Sequence, residues 1–362
     1  MSLLEPFRKI YGRFERPISS LSLIAGFLFD ALTLKRVDTL WENSWVLAHI
    51  VIVGVFIILI HAHEGKAGDE QNPDTRHFWY VNILQFFFGG ILSTYIVFYF
   101  RSADLFVTWP FILLLAIAFI ANESLKRHYV RMSFQISLFF LSIYSFAIFL
   151  VPVLFHRIGV WMFILSGIIS LITILLFLLI LYRVTKQKYL KSRKVVALTI
   201  LSICVVINIL YFTNLIPPIP LSLKDGGMYH VIIKNPDGDY SVYNEDLGWR
   251  KYFQLFPRYT EVIGEPVYAY TAIFSPSRLN LTIVHKWQKF DEVSRRWATE
   301  SSVELPVIGG RDGGFRTYSV QYDLPPGTWR VNVETEQGQL IGRIRFTIVQ
   351  GDTKPELIAE IK

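Results

Sequence analysis

The sequence has few of the residues and motifs that usually carry chemistry. Only one of its 362 residues is a cysteine, Cys204, so an internal disulfide is impossible and a cysteine-based metal site is nearly excluded. It contains no Gly-rich phosphate loop, no Gly-x-Ser-x-Gly elbow, no His-Glu-x-x-His and no paired carboxylates on a helical face. These absences favour a non-enzymatic protein without a cofactor, although a novel active site would carry no known motif.

Charge is also scarce. Charged residues make up 18% of the chain, against about a quarter in an average soluble domain, while 52% of the residues are hydrophobic. Residues 1–217 hold 19 Lys/Arg and 11 Asp/Glu, whereas residues 218–362 hold 17 and 18. The excess of basic residues therefore belongs to the apolar half, residues 1–217, and we expect the lipid bilayer as its partner. The second half has no basic stripe with interleaved aromatics, so nucleic acid is not expected.

Seven apolar stretches approach the roughly 20 residues that cross the hydrocarbon core of a bilayer. They cover residues 18–34, 44–59, 79–100, 105–121, 132–155, 159–182 and 195–212. We therefore predict an α-helical, multi-pass membrane bundle of about seven spans over residues 18–213. Residues 1–17 place Leu3, Phe7, Ile10 and Phe14 at helical spacing and predict an amphipathic segment on the cytoplasmic leaflet.

The basic residues between these stretches predict the orientation in a bacterial inner membrane, because cytoplasmic loops are enriched in Lys and Arg. With a cytoplasmic N-terminus, fifteen basic residues fall inside and four outside. The strongest cluster, "RVTKQKYLKSRK", begins at Arg183 and precedes the last stretch, so the chain leaves that stretch on the periplasmic side. The outside loops carry only Lys35, Arg36, Arg101 and Arg157.

A change of pattern follows the last apolar stretch. Residues 214–224 include Pro217, Pro218 and Pro220, which predict a stiff extended linker. Beyond it the hydrophobic period becomes two, as in "LNLTIVHKW", "TWRVNV" and "GRIRFTI", and turn signals such as "NPDGD" and "LPPGT" separate the runs. We predict a periplasmic all-β domain over residues 225–362, an antiparallel sandwich of immunoglobulin-like type.

Three stretches of this domain resemble a bacterial envelope family catalogued as domain of unknown function 2914. They are "PVYAYTAIFSPSRLNLTIVHKWQ", "VELPVIGGRDGGFRTYSVQ" and "LPPGTWRVNVETEQGQLIGRIRFTI". The family pairs a His-x-Trp strand with an Arg-Thr-aromatic-Ser strand and a Gly-x-Trp-Arg-Val hairpin. The resemblance extends to "AGFLFDALTLKRVDTL" and the Pro-rich exit, and it implies no activity. The positions that carry it are His285, Trp287, Arg316, Thr317, Tyr318, Ser319, Gly327, Trp329 and Arg330.

Some of these residues are candidates for binding an envelope protein or glycan. His285 and Trp287 alternate onto the apolar face of one strand, where they form either a core pair or a ligand-binding pair. Arg316 shares a strand face with Tyr318 and could stack on an aromatic ring or hold a glycan or an anionic headgroup. Trp329 and Arg330 complete the candidate set, and Trp329 alternates with core valines.

Two alternatives to a displayed binding domain remain open. Asp30 lies in the first apolar stretch, where a carboxylate is costly, so a transporter or channel subunit is one alternative. Pairing with Lys35 or Arg36 would instead make Asp30 structural. A membrane enzyme acting on a lipid-linked substrate is the other alternative, with His285 or the "HAHEG" loop as its site. His61, His63 and Glu64 of that loop are only weak metal candidates. The sequence does not set the oligomeric state.

Overall fold

The computed structural model describes residues 25–34, 40–67, 75–102, 105–124, 131–218, 220–245, 257–275, 280–308, 313–351, 353 and 355–362. The chain divides into two compact units, and the division falls between residues 219 and 220, apart from residues 102–107, which are grouped with the second unit. The first unit is helical and the second is made of β-strands. The predicted segment at residues 1–17 lies outside the described residues.

Seven helices lie in the described part of the first unit. The first covers residues 25–33 (α1). The others are α2 (Leu40–Ala67), α3 (Thr75–Ser102), α4 (Leu105–Ser124), α5 (Met132–Phe155), α6 (Val160–Val184) and α7 (Lys186–Phe212). Five of them contain stretches long and apolar enough to cross a membrane: Trp41–His63, Trp79–Phe100, Met132–Phe155, Val160–Val184 and Lys186–Phe212.

The predicted seven spans are thus found only in part. Five of them coincide with long apolar helices, and this supports a membrane protein. The predicted fourth span is α4, whose apolar part, Thr108–Asn122, is shorter. Of the predicted first span, only residues 25–34 belong to the described part of the chain.

Helix α5 is buried along most of its length and organises the unit. The hydroxyl groups of Tyr95 and Tyr99 on α3 donate to the carbonyl oxygens of Ser142 and Ser145 on α5, at 2.7 and 3.1 Å. Such bonds satisfy buried hydroxyl groups without breaking the helix ladder. On the other side, Gly167 of α6 lets this helix approach the Tyr144 ring of α5, because a β-carbon would lie 2.9 Å from the hydroxyl oxygen.

The first residues of the predicted linker belong to the folded end of α7. Asn214 adopts a left-handed conformation (φ 59°), and the Leu215 and Ile216 amides donate back to the Leu210 carbonyl, which ends α7. Ile216 is 1% exposed and belongs to the hydrophobic core of the helical unit. At the other end, the first β-strand begins at Ser222, within the predicted linker. The part free to act as a stiff spacer is therefore shorter than the sequence suggests.

Eleven strands lie in the described part of the second unit. They are β1 (Ser222–Tyr229), β2 (Val231–Lys234), β3 (Tyr240–Glu245), β4 (Arg258–Glu261), β5 (Pro266–Phe274), β6 (Asn280–Asp291), β7 (Arg296–Ile308), β8 (Phe315–Tyr322), β9 (Gly327–Thr335), β10 (Leu340–Gln350) and β11 (Leu357–Ile361). They form three sheets, in the orders β1-β5-β8, β4-β10-β9-β6-β7 and β11-β3-β2. All pairs are antiparallel except β4 with β10, which is parallel.

The β1-β5-β8 sheet is the middle layer. Val267 and Ala269 of β5 pack with the five-stranded sheet, while Tyr270 and Ala272 of the same strand pack with the β11-β3-β2 sheet. Both faces of β5 are therefore buried, which explains its nearly continuous apolar sequence. The all-β prediction is confirmed, but the described strands form three sheets and a mixed pairing rather than the two sheets of an immunoglobulin-like sandwich.

Candidate functional site

His285 and Trp287 lie in the core between the middle and five-stranded sheets, and both are fully buried. His285 Nδ1 lies 2.9 Å from Ser319 Oγ on β8, and its Nε2 lies 3.0 Å from Thr271 Oγ1 on β5. Trp287 Nε1 donates to the same Ser319 oxygen at 3.0 Å. The strand alternation that the sequence showed is therefore correct, and it carries the imidazole into the core.

One protonation pattern satisfies every group of this cluster. Trp287 donates only, so Ser319 accepts from it and can donate its own proton to His285 Nδ1. His285 Nε2–H then donates to Thr271, whose hydroxyl donates to the Thr317 carbonyl at 3.5 Å. The imidazole in this arrangement is neutral, and burial lowers the pKa of His285 to about 4.

This cluster is a structural network. A ligand or substrate cannot contact His285 or Trp287 without opening the core, because both have 0% exposure. Neither the binding pair nor the active-site histidine considered from the sequence fits this position. Among the positions that carry the family resemblance, His285, Trp287, Thr317 and Ser319 meet here through side chains or, for Thr317, its carbonyl.

Two other candidates also have structural positions. Arg316 forms an ion pair with Asp239 in the β2–β3 turn at 2.8 Å, so it ties the middle sheet to the β11-β3-β2 sheet. Tyr318 packs edge-on against Tyr240 and Tyr268 in the layer between those sheets. The structure therefore pairs Arg316 with a carboxylate instead of the aromatic stack considered from the sequence.

Trp329 is a core residue as well. It is 1% exposed, packs with Val331, Phe346 and their neighbours, and donates its indole N–H to the Pro325 carbonyl at 2.9 Å. That bond satisfies the only polar atom of the side chain. Trp329 therefore does not reach the surface of the domain.

Arg330 is the last candidate, and it lies on the opposite face of β9 from the buried Trp329. Its guanidinium carbon lies 4.1 Å from the centre of the Trp297 ring on β7, and its Nε donates to Gln288 Oε1 on β6 at 2.8 Å. Arg330 stands opposite Gln288 on one side and Arg345 of β10 on the other. Residues directly opposite each other share a face, so these groups lie together on the outer face of the five-stranded sheet.

Hydrogen bonds fix the residues around Arg330. Gln288 Nε2 donates to Thr299 at 2.8 Å, and Asn332 Nδ2 donates to Gln288 Oε1 at 3.3 Å and to Glu334 Oε1 at 3.0 Å. Arg343 Nε donates to Asn332 Oδ1 at 2.7 Å. We call this surface the guanidinium face and define it by Gln288, Trp297, Arg330, Asn332, Arg343 and Arg345.

The guanidinium face carries three arginine side chains. Burial and the neighbouring charges of Arg343 and Arg345 lower the pKa of Arg330 to about 10, while the Glu334 carboxylate acts in the opposite direction. The group still carries its charge at neutral pH. Glu334 itself forms an ion pair with Lys286 at 2.9 Å. Arg343 and Arg345 also line a cavity of about 340 Å³ beside β10, together with Arg258.

The comparison with known families decides what this part of the chain resembles. Residues 280–348 match the family described as Protein of unknown function (DUF2914). The match confirms the resemblance for the C-terminal region, and it contains the guanidinium face and, except for Thr271, the buried His285 network. For the helical half, only the apolar helices support the resemblance. The family description brings no activity with it.

Other comparisons add no relative with a known function. No curated protein matches the chain. Among solved structures, it aligns with a Pseudomonas fluorescens alkylpurine DNA glycosylase (AlkC) bound to DNA containing an abasic site analogue. The alignment covers 87% of this chain and 99% of the glycosylase with 9% identity, but its TM-score of 0.21 does not indicate a shared fold.

Most of the guanidinium face within the DUF2914 match was missed as a site, although its signal was present. The sequence pattern sets Arg330 and Asn332 on the polar side of one strand and Arg343 and Arg345 on the polar side of another. The strand order makes these two strands neighbours. Attention to the polar positions of adjacent strands would have found the face. Trp297 lies in a region whose pattern gave no clear face.

Asp30 and the histidine loop lie in the helical unit. Asp30 is 8% exposed, while Lys35 and Arg36 lie outside the described residues. His61 and His63 are two positions apart on α2, roughly 200° around the helix, so they do not converge on one ion. The Glu64 side chain is outside the described part, within which no metal-binding group of three ligands occurs.

Proposed function

We propose that this chain is a non-enzymatic protein of the bacterial cell envelope. Its helical unit anchors it in the inner membrane, and its β domain binds an envelope glycan on the periplasmic side. The observation that carries the proposal is the guanidinium face, where the partly exposed Arg330 lies on the partly exposed Trp297 ring. The buried amides of Gln288 and Asn332 hold the arginine in place. The apolar helices support the membrane anchor.

A sugar ring is chemically suited to such a face. It has an apolar surface of C–H groups and a rim of hydroxyl groups, which need an aromatic plane and planar hydrogen-bonding groups respectively. Phe290 adds a second aromatic ring beside Trp297, since their ring centres lie 5.2 Å apart with the two planes tilted by 59°. A protein partner is the weaker candidate for this face, because the core of a protein interface is depleted in charged residues.

The proposed orientation follows from the fifteen-to-four distribution of basic residues. We expect the start of α7 around Lys188 to be cytoplasmic and the β domain to be periplasmic. Cysteine labelling checks this in a Cys204→Ser background, with single cysteines at Lys188, which is partly exposed, and at Val293, which is exposed. A membrane-impermeant reagent added to intact cells with a permeable outer membrane should label position 293 alone. Labelling of position 188 alone would contradict the orientation.

Glycan binding can be tested with two aromatic substitutions. Trp297→Ala in the full-length protein, held in phosphatidylcholine nanodiscs, should weaken binding to envelope glycans about tenfold, because it removes the aromatic plane. Tyr322→Ala is the matched control, since Tyr322 is 60% exposed and lies on the middle sheet. Affinities would be measured against a panel of peptidoglycan fragments, lipopolysaccharide saccharides and capsule polysaccharides. A folded protein that binds none of the panel, or an equal loss in both variants, would refute the proposal.

A further inference from the structure

Arg330 uses only part of its hydrogen-bonding capacity. A guanidinium group has five N–H donors, and the Nε–H of Arg330 is directed to Gln288 Oε1. Among the residues that the structure describes, the hydrogen bond of the Arg330 side chain is the one from Nε, and its Nη1 and Nη2 make none. The Nη1 and Nη2 edge of the guanidinium group, called the fork below, is therefore available to a ligand, and Arg330 is only half-buried.

The fork is also held in position. Trp297 supports the plane of the guanidinium group, and Gln288 fixes its inner edge. Gln288 is fixed in turn by Thr299 and Asn332. A ligand that binds to Nη1 and Nη2 thus meets a group with little rotational freedom left to lose, and such preorganisation increases affinity.

The surrounding charge favours an anion. Arg345 is directly opposite Arg330 on the neighbouring strand, and Arg343 is opposite Asn332. Like charges in opposite cross-strand positions repel each other. Burial is the main cause of the lowered pKa of Arg330, and the charges of Arg343 and Arg345 lower it further. A bound anion would relieve this repulsion.

We propose that the guanidinium face recognises an oxyanion, a carboxylate or a phosphate, carried by an acidic glycan, and that Nη1 and Nη2 of Arg330 bind it in a bidentate manner. Paired parallel N–H···O bonds are the geometry in which arginine binds both groups. The inference rests on the proposed glycan-binding function and adds the chemical class of the sugar.

The test uses the full-length protein in phosphatidylcholine nanodiscs and three defined probes. These are trigalacturonic acid, its methyl ester and the sugar phosphate glucose 6-phosphate. The wild-type protein should bind the carboxylate or the phosphate probe at least about tenfold more tightly than the ester, and added salt should reduce that difference. Whichever acidic probe binds more tightly identifies the source of the oxyanion.

Substitutions distinguish bidentate binding by Arg330 from unspecific attraction by positive charge. Arg330→Gln should lose about tenfold in affinity for the acidic probe, and Arg330→Lys should lose nearly as much, because an ammonium group cannot make two parallel bonds. Arg296→Gln is the matched control. It removes the same charge from an exposed position next to Trp297 in sequence and should leave binding unchanged.

Three results would overturn the inference, and they differ from a failure of the proposed function. In the first, acidic probes and ester bind equally, which leaves glycan binding intact but removes the oxyanion. In the second, Arg296→Gln loses as much affinity as Arg330→Gln, which indicates unspecific charge attraction. In the third, neither acidic probe binds while a neutral glycan of the panel does. The proposed function would be refuted as well only by the absence of all glycan binding or by an equal loss in Trp297→Ala and Tyr322→Ala.

Discussion

Replacing Trp329 with alanine should destabilise the β domain by about 3–5 kcal/mol, the usual cost of deleting a buried aromatic side chain. The indole ring is 1% exposed and packs with residues of both sheets, including Phe346 and Ala269. The loss is comparable to the whole stability of a marginal domain, so the variant should be largely unfolded at growth temperature. Pulse proteolysis of the full-length protein in urea measures the effect, because the β domain then becomes susceptible to cleavage.

Trp297→Ala provides the comparison within the same sheet. Trp297 lies on the outer surface and is partly exposed, so its removal should cost less than about 1 kcal/mol. Trp329→Phe should recover part of the lost stability, because it refills part of the cavity. If Trp329→Ala unfolded at the same urea concentration as the wild type, the described core would be wrong at its centre.

Acidification should destabilise the β domain through His285. Folding lowers the pKa of this imidazole from about 6.5 to about 4, so the unfolded chain takes up a proton that the folded domain refuses. Stability is therefore fully present above pH 6.5 and is lost as the pH falls towards 4. The linkage relation gives a loss of about 2 kcal/mol between pH 7 and pH 5, where ordinary carboxyl groups still titrate little.

The measurement is the hydrogen exchange of β6 and β9 in the full-length protein over this pH range, corrected for the intrinsic exchange rate. His285→Gln is the appropriate variant, because it keeps hydrogen-bonding groups but does not titrate in this window. It should be less stable at pH 7 but nearly independent of pH between 7 and 5. An equally steep dependence in this variant would assign the acid sensitivity to another group.

The sequence predicted local features better than the way they assemble. The alternation in "LNLTIVHKW" correctly placed His285 and Trp287 on an apolar strand face. The hydrogen-bond partners of His285, however, are 14 and 34 residues away in sequence on two other strands, and no local pattern reveals them. The positions with the family resemblance were therefore considered as a binding site, although several of them form one buried network.

The three-layer arrangement was missed for a related reason. Alternation appears when one face of a strand meets solvent, but Tyr270 and Val267 of β5 are buried on opposite faces. The run "PVYAYTAIF" thus shows no alternation of apolar and polar residues, and the number of sheet layers could not be inferred from it. For the guanidinium face, the sequence gave the polar positions of β9 and β10, and only the strand order showed that they adjoin.

The parallel pairing of β4 with β10 has a consequence for the order in which the domain assembles. Arg258 to Glu261 pair with Thr347 to Gln350, so β4 is synthesised long before its partner. The hairpins β6–β7 and β9–β10 join neighbouring segments and can close early, whereas β4 must wait through a long loop closure. The edge of the five-stranded sheet is therefore completed last, and until then β4 is exposed to proteases and to other unpaired chains.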